Sequence, residues 1–306
     1  MISIILTSAN EPKTIGKAIR CLIDPEHSGY KGRLELILAI PDRATLTSAL
    51  RTLKDAGFTD YLHIQDPGRG KPAALNLAIS KAKGELLVFT DGDVYLGKGS
   101  LDELVSNFNE YPQIGGFSGR QYSMDSRKNM FGYFSHLFAE ALAEIRSPMQ
   151  NGNSTNKFFP MSGYVMAVRS SLLDFKLPVD VLVDDGYISH MIYNKGYTIG
   201  YSPKAAAYVS YAKSSEDYYK QKVRSTGGYL QLKKYGVIKS IDSSRGISQD
   251  LQLFLFPLKF ARSPKEFIWS ILLYGLRFNL WLRIFMLRFF NPRKLFNSWK
   301  RVESTK

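Results

Sequence analysis

Four short apolar segments alternating with helical patterns constrain this chain more than any other feature. Ile2–Leu6, Leu34–Ile40, Tyr61–Ile64 and Glu85–Thr90 are strand-length runs rich in aliphatic and β-branched residues. Between the first two, Ile15, Ala18, Ile19 and Leu22 recur at the i, i+3, i+4, i+7 spacing of a helix buried on one face. Leu46–Leu53 and Lys71–Ala82 read as two further helices. Near-continuous apolar strands between amphipathic helices predict a mostly parallel α/β sheet with helices on both faces. Ligands of such sheets bind beyond the carboxyl ends of the strands, so the polar residues that follow each strand are the informative ones.

A further strand is expected at Gly163–Val168 and a helix at Gly186–Lys195. Asn151–Asn156 is a turn-rich loop. Its Asn153-Ser154-Thr155 matches a glycosylation acceptor pattern and reads as an ordinary polar loop. The single cysteine, Cys21, excludes an intrachain disulfide and fits a reducing compartment. The N-terminal MISIILTSANEP has no basic segment ahead of an apolar run of only about five residues, so it does not read as a secretory signal.

Charge divides the chain. Of a net +14, the residues from Asp250 onward carry eleven Lys or Arg against three acids. Such asymmetry points to an anionic partner. The same region is apolar: Leu251–Leu258 and Phe267–Leu287 are dense in Leu, Ile, Phe and Trp. Arg277 and Arg283 interrupt the second stretch and leave Phe267–Leu276 as its longest charge-free run. A simple spanning helix needs about twenty apolar residues. Basic residues mixed with Trp and Phe, and flanked by Arg262, Lys265, Arg293 and Lys294, fit an amphipathic helical tail lying in a bilayer interface better. The alternative is a helix packed on the main domain. The chain thus divides into residues 1–235, the α/β domain, and 236–306, a basic, aromatic-rich membrane-associating region.

The strongest chemical signal is Asp91-Gly92-Asp93, directly after the strand ELLVFT. Two carboxylates one residue apart at a strand end face one crevice and repel each other. A hard divalent cation relieves that repulsion while also accepting phosphate oxygens. Upstream, Arg69-Gly70-Lys71 opens the helix leading into that strand, a basic helix N-terminus suited to an anion. Asn10-Glu11 closes the first strand and Asp42 the second, where polar side chains can read a base and ribose. A second acidic pair, Asp184-Asp185, is remote in sequence from the first. Gln221 and Arg224, three apart, share one helical face.

Taken in order, these marks resemble glycosyltransferase family 2: Asn10-Glu11, Gly70-Lys71 with Ala74-Leu75-Asn76, Asp91-Gly92-Asp93, Asp184-Asp185 and Gln221-Lys222-Val223-Arg224, over about residues 1 to 230. The resemblance implies a Rossmann-like GT-A fold and an inverting transfer from a nucleotide-diphosphate sugar, UDP favoured, with Mg²⁺ or Mn²⁺. It also implies site roles: nucleotide contacts from Asn10, Glu11, Asp42, Arg69, Lys71 and Asp91; metal contacts from Asp93 and Asp91; the general base from Asp185; acceptor or diphosphate contacts from Asp184, Gln221 and Arg224. Ser225 stands where the family's processive synthases carry Trp, which argues against polymerisation.

Two other classes compete. A nucleotidyltransferase would carry a Gly-rich phosphate loop after the first strand, and Thr7–Pro12 contains no glycine. A nucleic-acid binder would show a polar basic stripe, whereas this tail interleaves its charges with aliphatic runs. The expectation is an enzyme on the cytoplasmic, inner face of the cell membrane, peripheral or monotopic. Its acceptor would be lipid-linked or a saccharide, its other partner an anionic membrane surface, and nucleic acid is not expected.

Overall fold

A computed structural model describes residues 1–66, 68–150, 158–238 and 253–291. The loop at 151–156 and the tail residues Arg293, Lys294 and Trp299 lie outside them. Two compact units are present: Met1–Tyr122 with Ile145–Val209, and Ser123–Glu144 with Ser210–Lys306.

In the first unit, β1 (Ile2–Thr7), β2 (Leu34–Ile40), β3 (Tyr61–Gln65) and β4 (Leu86–Asp91) form the parallel part of the sheet. Their crossovers run through α1 (Ile15–Ile23) and the one-turn α2 (Pro25–Ser28), then α3 (Arg43–Asp55), then α4 (Lys71–Lys81). The inner strands β1 and β2 are buried almost throughout, as their unbroken apolar sequences require, while β3 at the edge exposes Tyr61 and Leu62. The stripe read from α1 is the buried one: Ile15, Ala18, Ile19 and Leu22.

Beyond β4 the sheet changes direction. A two-residue strand, β5 (Tyr95–Leu96), is followed by α5 (Ser100–Glu110), β6 (Ile114–Ser123), α6 (Met130–Arg146), β7 (Val165–Arg169), α7 (Asp184–Asn194) and β8 (Thr198–Val209). The strand order is β3-β2-β1-β4-β7-β6-β8-β5, with β7 antiparallel to both β4 and β6 and β5 antiparallel to β8. The parallel half matches the pattern of the first ninety residues. The antiparallel half is less visible because β6 carries Gly115, Gly116 and Gly119 and β8 carries Pro203, residue types weak in strands. Several boundaries shift from expectation by one to three residues, two of them in this half. α7 begins at Asp184 rather than Gly186, because carboxylates are favoured in a helix's first turn. β7 begins at Val165, leaving Gly163-Tyr164 as a turn.

The chain turns one way from β1 through β2 to β3, then returns to place β4 on the other side of β1. This is a topological switch point, and it opens a crevice beyond the ends of β1 and β4. The register sets Thr7 of β1 opposite Asp91 of β4 and Ala39 of β2.

The second unit contains most of α6, then α8 (Ser215–Lys234), α9 (Phe256–Phe260) and the 27-residue α10 (Pro264–Phe290). One core gathers Tyr133, Phe134, Leu137 and Leu273, and another Ala212, Tyr218, Leu280 and Ile284. Burying Leu273, Leu280 and Ile284 holds α10 in place with about 1.5–3 kcal/mol per side chain. Ser263 caps α10 by accepting from the Glu266 N–H. The Glu266 carboxylate accepts from Arg127 Nε at 2.7 Å and Nη2 at 2.9 Å, and from the Arg262 N–H at 2.7 Å. Hydrogen bonding from Arg127, opposed by burial, lowers the Glu266 pKa to about 2. A carboxyl depressed in the fold stabilises it above its unfolded pKa, near 4.5, and that contribution is lost as pH falls toward about 2. Glu266→Gln is therefore expected to cost about 3 kcal/mol at neutral pH by stranding Arg127. Amide exchange in α10 should then accelerate by on the order of 10², whereas the exposed Glu110→Gln should leave it unchanged. Equal exchange in both variants would refute the assignment.

Candidate active site

The loop after β1 is shaped by its own backbone and by α3. Asn10 adopts φ 53°, a left-handed conformation that Asn tolerates better than most residues. Its N–H donates to Asp42 Oδ2 at 2.6 Å, and Asp42 Oδ1 accepts from the Thr45 N–H at 2.9 Å, capping α3. Burial opposes the Asp42 charge, but the Thr45 and Asn10 N–H groups outweigh it and lower its pKa. Glu11 is fixed twice: its N–H donates to Thr45 Oγ1 at 2.7 Å, and Ser8 Oγ donates to its Oε2 at 2.6 Å.

Asp91 ends β4 facing that loop. Its Oδ1 accepts from Thr7 Oγ1 at 2.5 Å and from Lys71 Nζ at 2.7 Å. Lys71 is the first residue of α4, set there by Gly70 at φ 100°, a conformation few side chains allow. Its Nζ also lies 3.7 Å from Asp184 Oδ2. Burial works against the Lys71 charge, but Asp91, Asp184 and Asp185 reverse the balance and raise its pKa. One ammonium thus ties the end of β4 to the start of α7. Gly92 leaves no alternative residue at its position: a Cβ there would overlap Ser8 Oγ and come within 2.9 Å of Glu11 Oε2.

Asp93 has the least compensation. Burial, then Asp91 and Glu11, lift its pKa to about 7 despite the opposing pull of Lys71. A carboxyl crowded by two others, all hard oxygen donors, suits a divalent cation. Among the described residues no group of three His, Cys, Asp or Glu side chains is placed to hold a metal ion by itself. Asp91 and Asp93 thus suit a metal whose remaining ligands come from water and phosphate, as is usual for Mg²⁺.

The second acidic pair begins α7. Asp185 Oδ2 accepts from the Gly163 N–H at 3.0 Å and Oδ1 from the Gly186 N–H at 2.8 Å. Each oxygen keeps a further lone pair. Burial, together with Asp185 and Asp91, raises the Asp184 pKa against the pull of Lys71. The loop before α7 is held by Asn76, whose side-chain amide donates to Leu177 O at 2.8 Å and accepts from the Leu177 N–H at 2.9 Å. Asn76 stood out in the sequence only as part of a pattern; in the fold it holds Leu177 in the loop that precedes α7.

The structure therefore brings Lys71, Asp91 and Asp184 into one ion-paired group, with Asp93, Glu11 and Asp185 within electrostatic reach. Asn10 and Asp42 form a neighbouring pair, and Arg69 is exposed in the turn before α4. Gln221 and Arg224 lie on α8 of the second unit. Beside Asp42, at the ends of β2 and β3, a cavity of about 340 Å³ is lined by Ile40, Arg43, His63, Gln65 and Asp66 among others. Sequence reasoning missed His63, Gln65 and Asp66. The signal was their place at the end of the third strand, beside that of Asp42.

A switch-point crevice with an Asp-x-Asp turn at the end of the fourth strand is the arrangement of the GT-A fold. The profile described as glycosyltransferase-like family 2 matches residues 1–228, and the chain belongs to that family. Among curated proteins, it is 22% identical over 236 residues to the poly-beta-1,6-N-acetyl-D-glucosamine synthase of Staphylococcus aureus, covering 76% of this chain and 55% of that one. The chain thus spans about half the length of the curated relatives it matches. Among solved structures, a mannosyltransferase from Pyrobaculum calidifontis in complex with GDP-Man and Mn²⁺ aligns with TM-score 0.56 at 17% identity, covering 97% of this chain and 83% of that one. S. aureus TarS 1–349 with UDP-GlcNAc aligns with TM-score 0.52 at 15% identity, covering 86% and 74%. These likenesses show the fold.

Proposed function

We propose that the chain is an inverting, metal-dependent glycosyltransferase using a nucleotide-diphosphate sugar, with UDP the favoured nucleotide. The observation that carries this reading is the Lys71-centred group, in which Asp91 and Asp184 share one ammonium beside the crowded Asp93. The nucleoside would enter the cavity beside Asp42, with Asn10 and Glu11 bordering it. Lys71 and Arg69 would face the diphosphate. Mg²⁺ or Mn²⁺ held by Asp93 and Asp91 would neutralise the charge of the leaving diphosphate; the Mn²⁺ complex of the P. calidifontis mannosyltransferase is in keeping with this.

The chain's own residues then do the following. The acceptor hydroxyl oxygen attacks the anomeric carbon as the bond to the diphosphate breaks, and Asp185 takes the hydroxyl proton. The Gly163 and Gly186 N–H groups orient the Asp185 carboxylate. Lys71 balances negative charge on both sides of the reaction. The roles of Gln221 and Arg224 rest on the sequence resemblance alone. The acceptor is a lipid-linked or saccharide hydroxyl, met by the catalytic domain (residues 1–235) at the inner face of the cell membrane. Residues 236–306 make the attachment.

A screen of UDP- and GDP-sugars with Mn²⁺ tests this reading, since a donor bound without acceptor is open to slow attack by water. One donor should be hydrolysed in preference, and chelation should stop the reaction. Neither binding nor hydrolysis of any donor would refute it.

A further inference from the structure

The second unit leaves one large apolar surface unpartnered. On α10, Glu266, Ser270, Leu273, Leu280 and Ile284 are buried, and at about 100° per residue they fall in one sector. Away from it, a second sector carries Phe267, Ile271, Phe278, Leu282, Phe285 and Phe289, all exposed; Phe278 is 73% exposed and Phe289 65%. Soluble monomers rarely expose an apolar stripe of this extent.

Arg277 and Arg283 interrupt the segment in sequence but not on this face. The Arg277 guanidinium lies over Phe138 on the packed side, and that of Arg283 lies over Tyr219 at the flank of the helix, where it stays exposed. The outward stripe is therefore free of charge along all 27 residues, about 40 Å at 1.5 Å per residue. By length and composition α10 is the one helix among the described residues that qualifies to cross a membrane. The surrounding exposed charge is positive: Lys259, Arg262, Lys265, Arg283 and Arg288 are exposed, while the single acid of residues 253–291, Glu266, is buried against Arg127.

We infer that this outward stripe inserts into the surface of an anionic bilayer with α10 parallel to the membrane plane. The inference rests on the membrane placement proposed above and supplies the surface that makes it. Lying flat, α10 gives lipid only its charge-free face and keeps its inner face on the two cores. Crossing would carry Arg277, midway along the helix, to the bilayer centre. The basic residues would attract anionic headgroups and confer salt dependence.

The test uses the full chain with an environment-sensitive fluorophore attached through Ile271→Cys, Phe278→Cys or Phe285→Cys, one at a time; the native Cys21 is buried. With phosphatidylcholine vesicles containing phosphatidylglycerol, all three labels should shift to the blue and resist an aqueous quencher equally. Binding should weaken about tenfold or more with phosphatidylcholine alone, and again as salt rises. Phe278→Glu with Phe289→Glu should lower vesicle binding about tenfold or more while donor hydrolysis persists. Labels that stay wet on a chain that pellets with vesicles would overturn the inference and leave the membrane reading standing. Label depths graded along the helix would overturn the flat orientation. Labels shielded without lipid in a concentration-dependent dimer would assign the stripe to a second copy. No pelleting with any vesicle would overturn both.

Discussion

Asp93→Ala is expected to abolish metal-dependent donor binding and to reduce donor turnover by on the order of 10³, the equivalent of several kcal/mol of charge stabilisation at the leaving diphosphate. The fold should survive, and thermal stability of the metal-free protein should hold or rise. Asp93 is crowded by Asp91 and Glu11, and burial alone disfavours its charge. Removing it relieves that crowding and breaks no contact that holds Lys71, which depends on Asp91 and Asp184. This opposition between function and stability separates a ligand from a structural acid. Calorimetric titration of the donor with and without Mn²⁺ decides it. Unchanged, metal-dependent binding in Asp93→Ala would end the assignment.

Asp185→Asn is expected to cut turnover by roughly 10²–10⁴ while leaving donor affinity nearly unchanged, because a proton acceptor acts in the transition state and not in donor binding. The fold adds a complication. Both Asp185 oxygens accept backbone N–H bonds, and an amide can replace only one of them. Some of the loss would then come from displacement of the Gly163 turn. Asp185→Glu keeps the acceptor but shifts it, so comparing the two variants separates position from chemistry. Near-normal turnover in Asp185→Asn would move the role to Asp184, whose carboxyl lies beside Lys71 and has a raised pKa.

Much of this was legible in the sequence, for identifiable reasons. Buried parallel strands must be apolar throughout, so β1, β2 and β4 announce themselves, and the residues just past their ends are candidates for the crevice. The Asp91-Gly92-Asp93 turn, Lys71 at a helix start and the Asp184-Asp185 pair were visible in that way. So were the family and the basic, apolar character of the C-terminal region.

What the sequence by itself determined is local: strand and helix periods, the residues at strand ends, the sign of the charge. Tertiary structure decided which distant groups meet. Lys71 joins Asp91 to Asp184 across more than ninety residues of chain, and Asn76 holds Leu177 in the loop before α7. It also decided the face of α10. In linear order Arg277 and Arg283 break that segment, yet packing turns both toward aromatic partners and leaves the outer stripe apolar. The physical reason is one of range. Propensity and periodicity act over a few residues, whereas ion pairing and burial depend on positions that exist only once the sheet and the helical unit have formed.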